Sequence, residues 1–371
     1  MKLHCHRPSL AAAFQVVSGV VPSRTPKDIL KNVKLQVADG KAILIGTDEQ
    51  VGIRYEIPGV EIESSGETLL PVNRVIAILR EVQDDGINLE VVDGAALIRA
   101  GQSEFRLSAE DAAEFPPVMA FEDESYHVIA GRTFREMIRR TLFATDVEST
   151  RYALGGVLVE LNPDGVVMAA TDSRRLAVVK STCRTVGDKL PENTLPAVVQ
   201  SKAMSLVERS IEGDDADVFV AVHDNDIVMK SSNSTIYSRL VEGRFPNYND
   251  VIPRECRVTV ELLVGPFYSA IRQAQIVTNE ESRGVDFKFA DGLLTLNSLA
   301  ADVGQSKVEL PISYEHDELT ITFDPRFIAD FLRVLEPEKQ VKLELIDSES
   351  AAVLRTDDDY TYVIMPLSRD R

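Results

Sequence analysis

Two periodicities alternate along this chain. Apolar residues recur three and four apart in windows at roughly 8–21, 72–82, 132–145, 201–212, 266–278 and 325–335, the spacing that lays a stripe along one side of a helix. In the last window the stripe is Phe327, Ile328, Phe331, Leu332 and Leu335, with Arg326 and Arg333 opposite. At 132–145 it is Phe134, Met137, Ile138 and Leu142, with Arg132, Arg135 and Arg139 opposite. Between these windows lie strand-like segments such as Val33-Lys34-Leu35-Gln36-Val37, Val157-Leu158-Val159-Glu160-Leu161 and Val285-Asp286-Phe287-Lys288-Phe289. Each runs into a turn, at Asp39-Gly40, Asp164-Gly165 and Asp291-Gly292, and an Asp-Gly turn between such segments predicts a β-hairpin.

The order of these elements repeats. The three turn glycines stand 125 and then 127 residues apart, and Leu79, Val207 and Leu332 hold matching helix positions 128 and 125 apart. Further hairpins turn near Asp93-Gly94, Asp224-Asn225 and Asp347-Ser348. The alternative is three unrelated domains with coincidental turns, and six elements recurring in one order oppose it. Each unit reads as helix, strands, helix, strands, an α+β arrangement of two helices on antiparallel sheet. Prolines at Phe115-Pro116-Pro117 and Ile252-Pro253 put the boundaries near 120 and 253, giving domains 1–120, 121–253 and 254–371.

Composition is that of a soluble globular chain, 44% hydrophobic and 27% charged. No run reaches the roughly 18–20 apolar residues of a membrane helix, and the N-terminus reads as no secretion signal. Cys5, Cys183 and Cys256 are odd in number and widely spaced, which favours reduced thiols and a cytoplasmic location. The net charge of −19 is unfavourable for nucleic acid taken whole. It is unevenly spread, however. The six helical windows hold eleven basic and five acidic residues, a net +6, which leaves −25 for the rest. Basic outer faces on several helices of so acidic a chain predict a surface for phosphates, and no base-reading module accompanies it.

Several blocks then carry a family likeness. They are Ala170-Thr171-Asp172-Ser173-Arg174-Arg175-Leu176-Ala177, Leu240-Val241-Glu242-Gly243-Arg244-Phe245-Pro246-Asn247-Tyr248, and Val363-Ile364-Met365-Pro366-Leu367. Supporting them are Phe105-Arg106-Leu107-Ser108 with Glu114-Phe115-Pro116, and Asn279-Glu280-Glu281-Ser282-Arg283-Gly284. In these blocks, and over its whole length, the chain resembles the bacterial DNA polymerase III beta subunits, the sliding clamps. The resemblance implies three clamp domains per chain and a head-to-tail dimer closed into a ring around duplex DNA, helices lining the hole. It implies no catalysis and no cofactor. The partners it implies are duplex DNA, bound without sequence specificity, and a replicative polymerase, a clamp loader and repair proteins, held through short linear peptides.

The likeness also assigns residues. The implied peptide pocket comprises Leu154, Thr171, Ser173, Arg174, Arg175, Leu176, Pro246, Val251, Val363, Met365, Pro366 and Leu367. The implied DNA contacts are Arg24, Arg74, Arg151, Tyr152, Lys202 and Arg209. Dimer contacts fall to Phe105 and Leu107 on one chain, with Ile276 and Val277 on the other. Three positions depart from well-known members: Arg174 replaces His, Ala153 an aromatic residue and Asp250 a basic one. The segment Ser298–Lys307 lacks an acidic run, and Arg369-Asp370-Arg371 extends beyond the pocket.

Motifs for chemistry are absent: there is no phosphate-binding glycine loop, metalloprotease helix or nucleophile elbow. His4-Cys5-His6 reads as strand, whose alternate residues face opposite ways, and Asp357-Asp358-Asp359 as a solvated turn. Two competing readings are a repeat-built interaction scaffold without DNA binding and a metal-dependent nucleic-acid enzyme. The basic helices favour the clamp over the scaffold, and undetectable turnover with Mg²⁺ or Mn²⁺ would dispose of the enzyme.

Overall fold

A computed structural model describes residues 1–108, 110–148, 153–187, 196–213, 215–279 and 283–367. In the first repeat Lys2–His6 (β1) runs straight into Arg7–Val17 (α1). Asn32–Ala38 (β2), Lys41–Thr47 (β3), Val51–Glu56 (β4), Glu61–Ser64 (β5) and Gly66–Pro71 (β6) follow. Then come Val72–Glu81 (α2), Gly86–Val92 (β7), Ala95–Ala100 (β8) and Ser103–Ser108 (β9). The second repeat opens with Tyr126–Ala130 (β10) and Gly131–Leu142 (α3), then Gly156–Leu161 (β11), Gly165–Thr171 (β12), Arg175–Thr182 (β13), Arg184–Val186 (β14) and Ala197–Gln200 (β15). It closes with Ser201–Ser210 (α4), Asp217–Val222 (β16), Asp226–Ser231 (β17) and Ser234–Arg239 (β18). The third has Val258–Leu263 (β19), Val264–Ala274 (α5), Val285–Ala290 (β20), Leu293–Ala300 (β21), Gly304–Pro311 (β22) and Leu319–Phe323 (β23). Pro325–Arg333 (α6), Gln340–Leu345 (β24), Ala352–Arg355 (β25) and Tyr360–Ile364 (β26) complete it.

All six helices form where the apolar stripes predict them, and the α+β arrangement with antiparallel sheets holds throughout. The stripe of the first window outlasts its α-helix. Beyond Val17 the amides of Gly19, Val20 and Val21 bond three residues back, a tighter winding than the α-helix. At Asp164-Gly165 neither residue is left-handed, and the turn is closed by amide-to-carbonyl bonds between Asn162 and Gly165 at 2.8 and 3.4 Å. The other two predicted Asp-Gly turns have Asp39 and Gly40 at φ of 52° and 74°, and Asp291 and Gly292 at 50° and 75°. In these two both central residues are left-handed, as in the type I′ hairpin turn.

Strand pairing crosses the proline-marked boundaries. β18 pairs antiparallel with β4, from Ser234↔Tyr55 to Ser238↔Val51, and β13 pairs with β26, from Arg175↔Ile364 to Val179↔Tyr360. The chain forms two compact units, one of Met1–Arg135, Leu161–Gly165 and Thr182–Val241, the other of Glu136–Glu160, Val166–Ser181 and Glu242–Arg371.

In the first unit one sheet runs β5-β1-β7-β8-β9 and a second β14-β10-β16-β17-β18-β4-β3-β2-β6. Leu10, Phe14 and Val17 of α1 and Val75, Ile78 and Leu79 of α2 are buried. In the second unit, strands β11, β12, β13, β26, β25, β24 and β19 are successive neighbours in one sheet, and the other runs β22-β21-β20-β23. Its α6 starts with Asp324 accepting from the Arg326 amide at 3.0 Å and Pro325 in the first turn, both favourable at a helix N-terminus. Phe331 of α6 stacks on Tyr362 at 4.9 Å and lies 5.0 Å from the Tyr360 ring.

One reading needs correction. Arg140, counted among the basic helix faces, is 3% exposed: it is bound by Glu136 and by Asp358 at 2.8 Å, and its guanidinium lies 5.1 Å from the Tyr360 ring. Asp357, Asp358 and Asp359 form an exposed turn as expected, but Asp358 is also an ion-pair partner within it. Burial opposes its charge, yet the bonds from Arg140 and Thr356 outweigh this and hold its carboxyl well below the usual range.

Candidate functional site

The second unit carries an apolar groove of about 270 Å³ where β13 begins and β26 ends. Its base follows from pairing, since Leu176 lies opposite Val363 in the β13–β26 register. Leu154 and Pro246 add apolar surface, and Val251 and Met365, 55% and 47% exposed, stand at its mouth. Met365 is held by its amide, which donates to the Arg174 carbonyl at 2.9 Å.

The wall is the turn Thr171–Arg175, shaped by its own side chains. Thr171 Oγ1 accepts from the Ser173 amide at 3.1 Å and donates to the Arg175 carbonyl at 2.6 Å. Asp172 Oδ1 accepts from the amides of Arg174 and Arg175 at 3.0 and 3.1 Å. These bonds hold Ser173 at φ 73°, a conformation rare for a residue with a β-carbon. Arg175 then locks the turn in place. Its Nε donates to Asp172 at 2.8 Å, Nη1 to Asp330 at 2.7 Å and Nη2 to the Phe143 carbonyl at 2.7 Å. Its guanidinium lies 4.5 Å from the centre of the Phe327 ring and 5.4 Å from that of Phe143. The groove is thus rigidly walled, apolar within, and framed by fixed polar groups, as small-ligand and peptide sites are.

All the residues expected in the pocket line this groove except Pro366 and Leu367. The Leu367 amide donates to the Thr322 carbonyl at 2.8 Å, carrying the chain along β23 instead. Tyr248 lines the groove and was missed; its hydroxyl donates to Glu160 at 2.7 Å, and burial, with that carboxylate, raises its pKa. Its place in the block ending Asn247-Tyr248 was the available signal. Asp330 was also missed as a support of the wall, and nothing in its helical context marks it.

In the first unit Arg24, Arg74 and Arg209 are exposed, the last two on α2 and α4, and α1 packs against both helices. Lys202 is committed: its Nζ donates to Asp48 at 2.5 Å and to the Val20 carbonyl at 2.8 Å. Arg135 is spent similarly, on the carbonyls of Ile211 and Gly213 at 2.6 and 3.3 Å. Arg151, Tyr152 and Arg369-Asp370-Arg371 lie outside the described residues.

Two sheets end on open strands. β9 is the last strand of its sheet in the first unit, with Phe105 and Leu107 half-buried along it. β22 is an outer strand in the second unit. That unit also exposes Ile276 at 76% and Leu299 at 70%, with Val277 half-buried. Among the described residues no group of three or more His, Cys, Asp or Glu could hold a metal ion. Cys5 is buried in β1, and burial pushes its thiol up to about 12.

Comparison with known proteins accounts for the whole chain. Residues 1–120, 128–247 and 249–368 match, in turn, the N-terminal, central and C-terminal domains of the DNA polymerase III beta subunit. The beta sliding clamp of Pseudomonas aeruginosa is 30% identical over 373 residues, covering 99% of this chain and 100% of the relative. That of Escherichia coli K12 is 29% identical over 370 residues, with 99% and 100% covered. The crystal structure of the DNA polymerase III subunit beta from Pseudomonas aeruginosa superposes with a TM-score of 0.90 at 29% identity, all of both chains covered. A sliding clamp from the same organism bound to griselimycin gives 0.89 at 29% identity, again over all of both chains. With three domain models matched end to end, the chain belongs to the DNA polymerase III beta subunit family, the beta sliding clamps.

Proposed function

We propose that this protein is a DNA sliding clamp, a non-catalytic processivity factor acting in the cytoplasm. Two chains close head to tail into a ring around duplex DNA, each contributing domains 1–120, 121–253 and 254–371. The replicative polymerase, the clamp loader and repair proteins dock through short peptides in the groove at Leu176, Val363 and Met365. Arg24, Arg74 and Arg209 meet phosphates, while Lys202 serves first as a tie to Asp48. Contacts to phosphate alone leave the ring free to slide, because they carry no sequence information.

The full-length match to the family carries this reading. The open strands β9 and β22 support the dimer, since an unpaired strand edge invites another chain, and Phe105, Leu107, Ile276 and Val277 supply apolar contact. Sedimentation tests it: a species of twice 41.0 kDa is expected, and monomer alone at micromolar concentration would contradict ring closure.

A further inference from the structure

We propose that Arg174 makes the groove select peptides that carry a carboxylate beside their apolar anchor residues. This rests on the reading of the groove as a peptide site and goes beyond it by naming the charge of the partner.

Two guanidinium groups belong to the groove wall, and they are in opposite states. Arg175 is half-buried and fully engaged by Asp172, Asp330 and the Phe143 carbonyl. Arg174 is exposed, and its side chain has no ion pair or hydrogen bond among the described residues. Its backbone is nonetheless fixed on both sides, the amide by Asp172 Oδ1 at 3.0 Å and the carbonyl by the Met365 amide at 2.9 Å. The root of the side chain is therefore set on the rim, and only the free cation can adapt.

Nearby carboxylates do not neutralise it. Asp172 is used by the turn and by Arg175, and Asp330 by Arg175 and Arg333. Arg174 also borders a polar cleft that holds Asp146 and Glu148, but neither of these carboxylates forms an ion pair with it. Asp250, next to Val251, accepts from the Asn247 side-chain amide at 2.6 Å. A peptide seating apolar side chains in the groove must carry its polar residues over this rim. A guanidinium offers a carboxylate two parallel N–H donors and repels a lysine. Because the rim is wet, an exposed pair of this kind is worth about a two- to fivefold change in affinity at low salt, less as salt is added.

The test uses the full-length protein and labelled peptides with one apolar anchor, in which Asp, Asn and Lys are placed in turn at each polar position. Fluorescence anisotropy should find a position where Asp binds about two- to fivefold tighter than Asn, and Lys weaker, at low salt. In Arg174→Gln the Asp-to-Asn ratio at that position should fall to one, and in Arg174→Glu it should invert. Tight binding with no charge preference at any position in the unmodified protein overturns the inference alone, and so does a preference that survives in Arg174→Gln. Failure of every peptide to bind overturns the groove reading and this inference with it.

Discussion

Arg175 Nη1 donates to Asp330 Oδ2 at 2.7 Å and so ties the turn that walls the groove to helix α6. The bond is local in space but joins residues 155 apart in sequence. Asp330→Asn should remove the charge while keeping the shape. We expect a stability loss of about 1–2 kcal/mol, the range for a hydrogen bond to a charged group, lowered because Asp330 is partly exposed. Peptide affinity should weaken with it. Urea unfolding and anisotropy measure the two, and a stability loss with unchanged affinity would detach the wall from this support.

The groove mouth should behave differently. Val251 and Met365 are exposed and contribute little to the core. Replacing both by Ser should weaken peptide binding by about tenfold through lost apolar contact, while stability shifts by less than about 0.5 kcal/mol. Calorimetry with and without peptide separates these effects.

The basic residues should also divide. Lys202→Met breaks the tie to Asp48 and Val20, so it should lower stability by about 1 kcal/mol. Arg209→Gln, an exposed change, should stay within about 0.5 kcal/mol. Reversing Arg24, Arg74 and Arg209 to Glu should reduce polymerase processivity while peptide binding is unchanged. Equal effects on processivity from reversals on the outer sheet strands would move the DNA contacts elsewhere.

These divisions mark what the residue order could and could not reveal. The helices were legible because their stripes are long and regular, and the hairpins because Asp39-Gly40 and Asp291-Gly292 need left-handed backbone. β1 was legible in His4-Cys5-His6, but the short strands β10 and β19 were not, as each is five or six residues long and enters its helix without a loop. Arg140 and Lys202 have the same helical context as the exposed Arg74, and only tertiary partners distant in sequence set them apart. The groove emerged from family likeness rather than periodicity, for Thr171, Pro246 and Met365 meet only once β13 pairs with β26 and the loop holding Pro246 folds over them.

Two titrating groups give opposite pH signatures. His223 lies between Asp123 and Asp226, at 2.9 and 2.6 Å. Burial disfavours its charge, but hydrogen bonds to Asp123 and Asp226 outweigh this and raise its pKa above 6.5. Its contribution is complete below the unfolded value and fades as pH rises through the folded one. Asp358, held below 3.8 by Arg140 and Thr356 despite its burial, stabilises above the unfolded value and stops doing so as pH falls through the folded one. Unfolding curves should therefore show His223→Gln most costly near pH 5–6 and near neutral at about pH 9, and Asp358→Asn costly at neutral pH but not in strong acid. A His223 effect that grew with pH would contradict the bridge.

The central claim is topological, and retention on DNA tests it most directly. The protein, loaded by its clamp loader onto a nicked circular plasmid, should co-elute with the DNA through a sizing column in salt that abolishes binding to short duplexes. Cutting the plasmid once should release it, because a closed ring slides off an end. Equal retention on circular and linear plasmid would show that it is held by contacts rather than by encirclement, and would contradict the account.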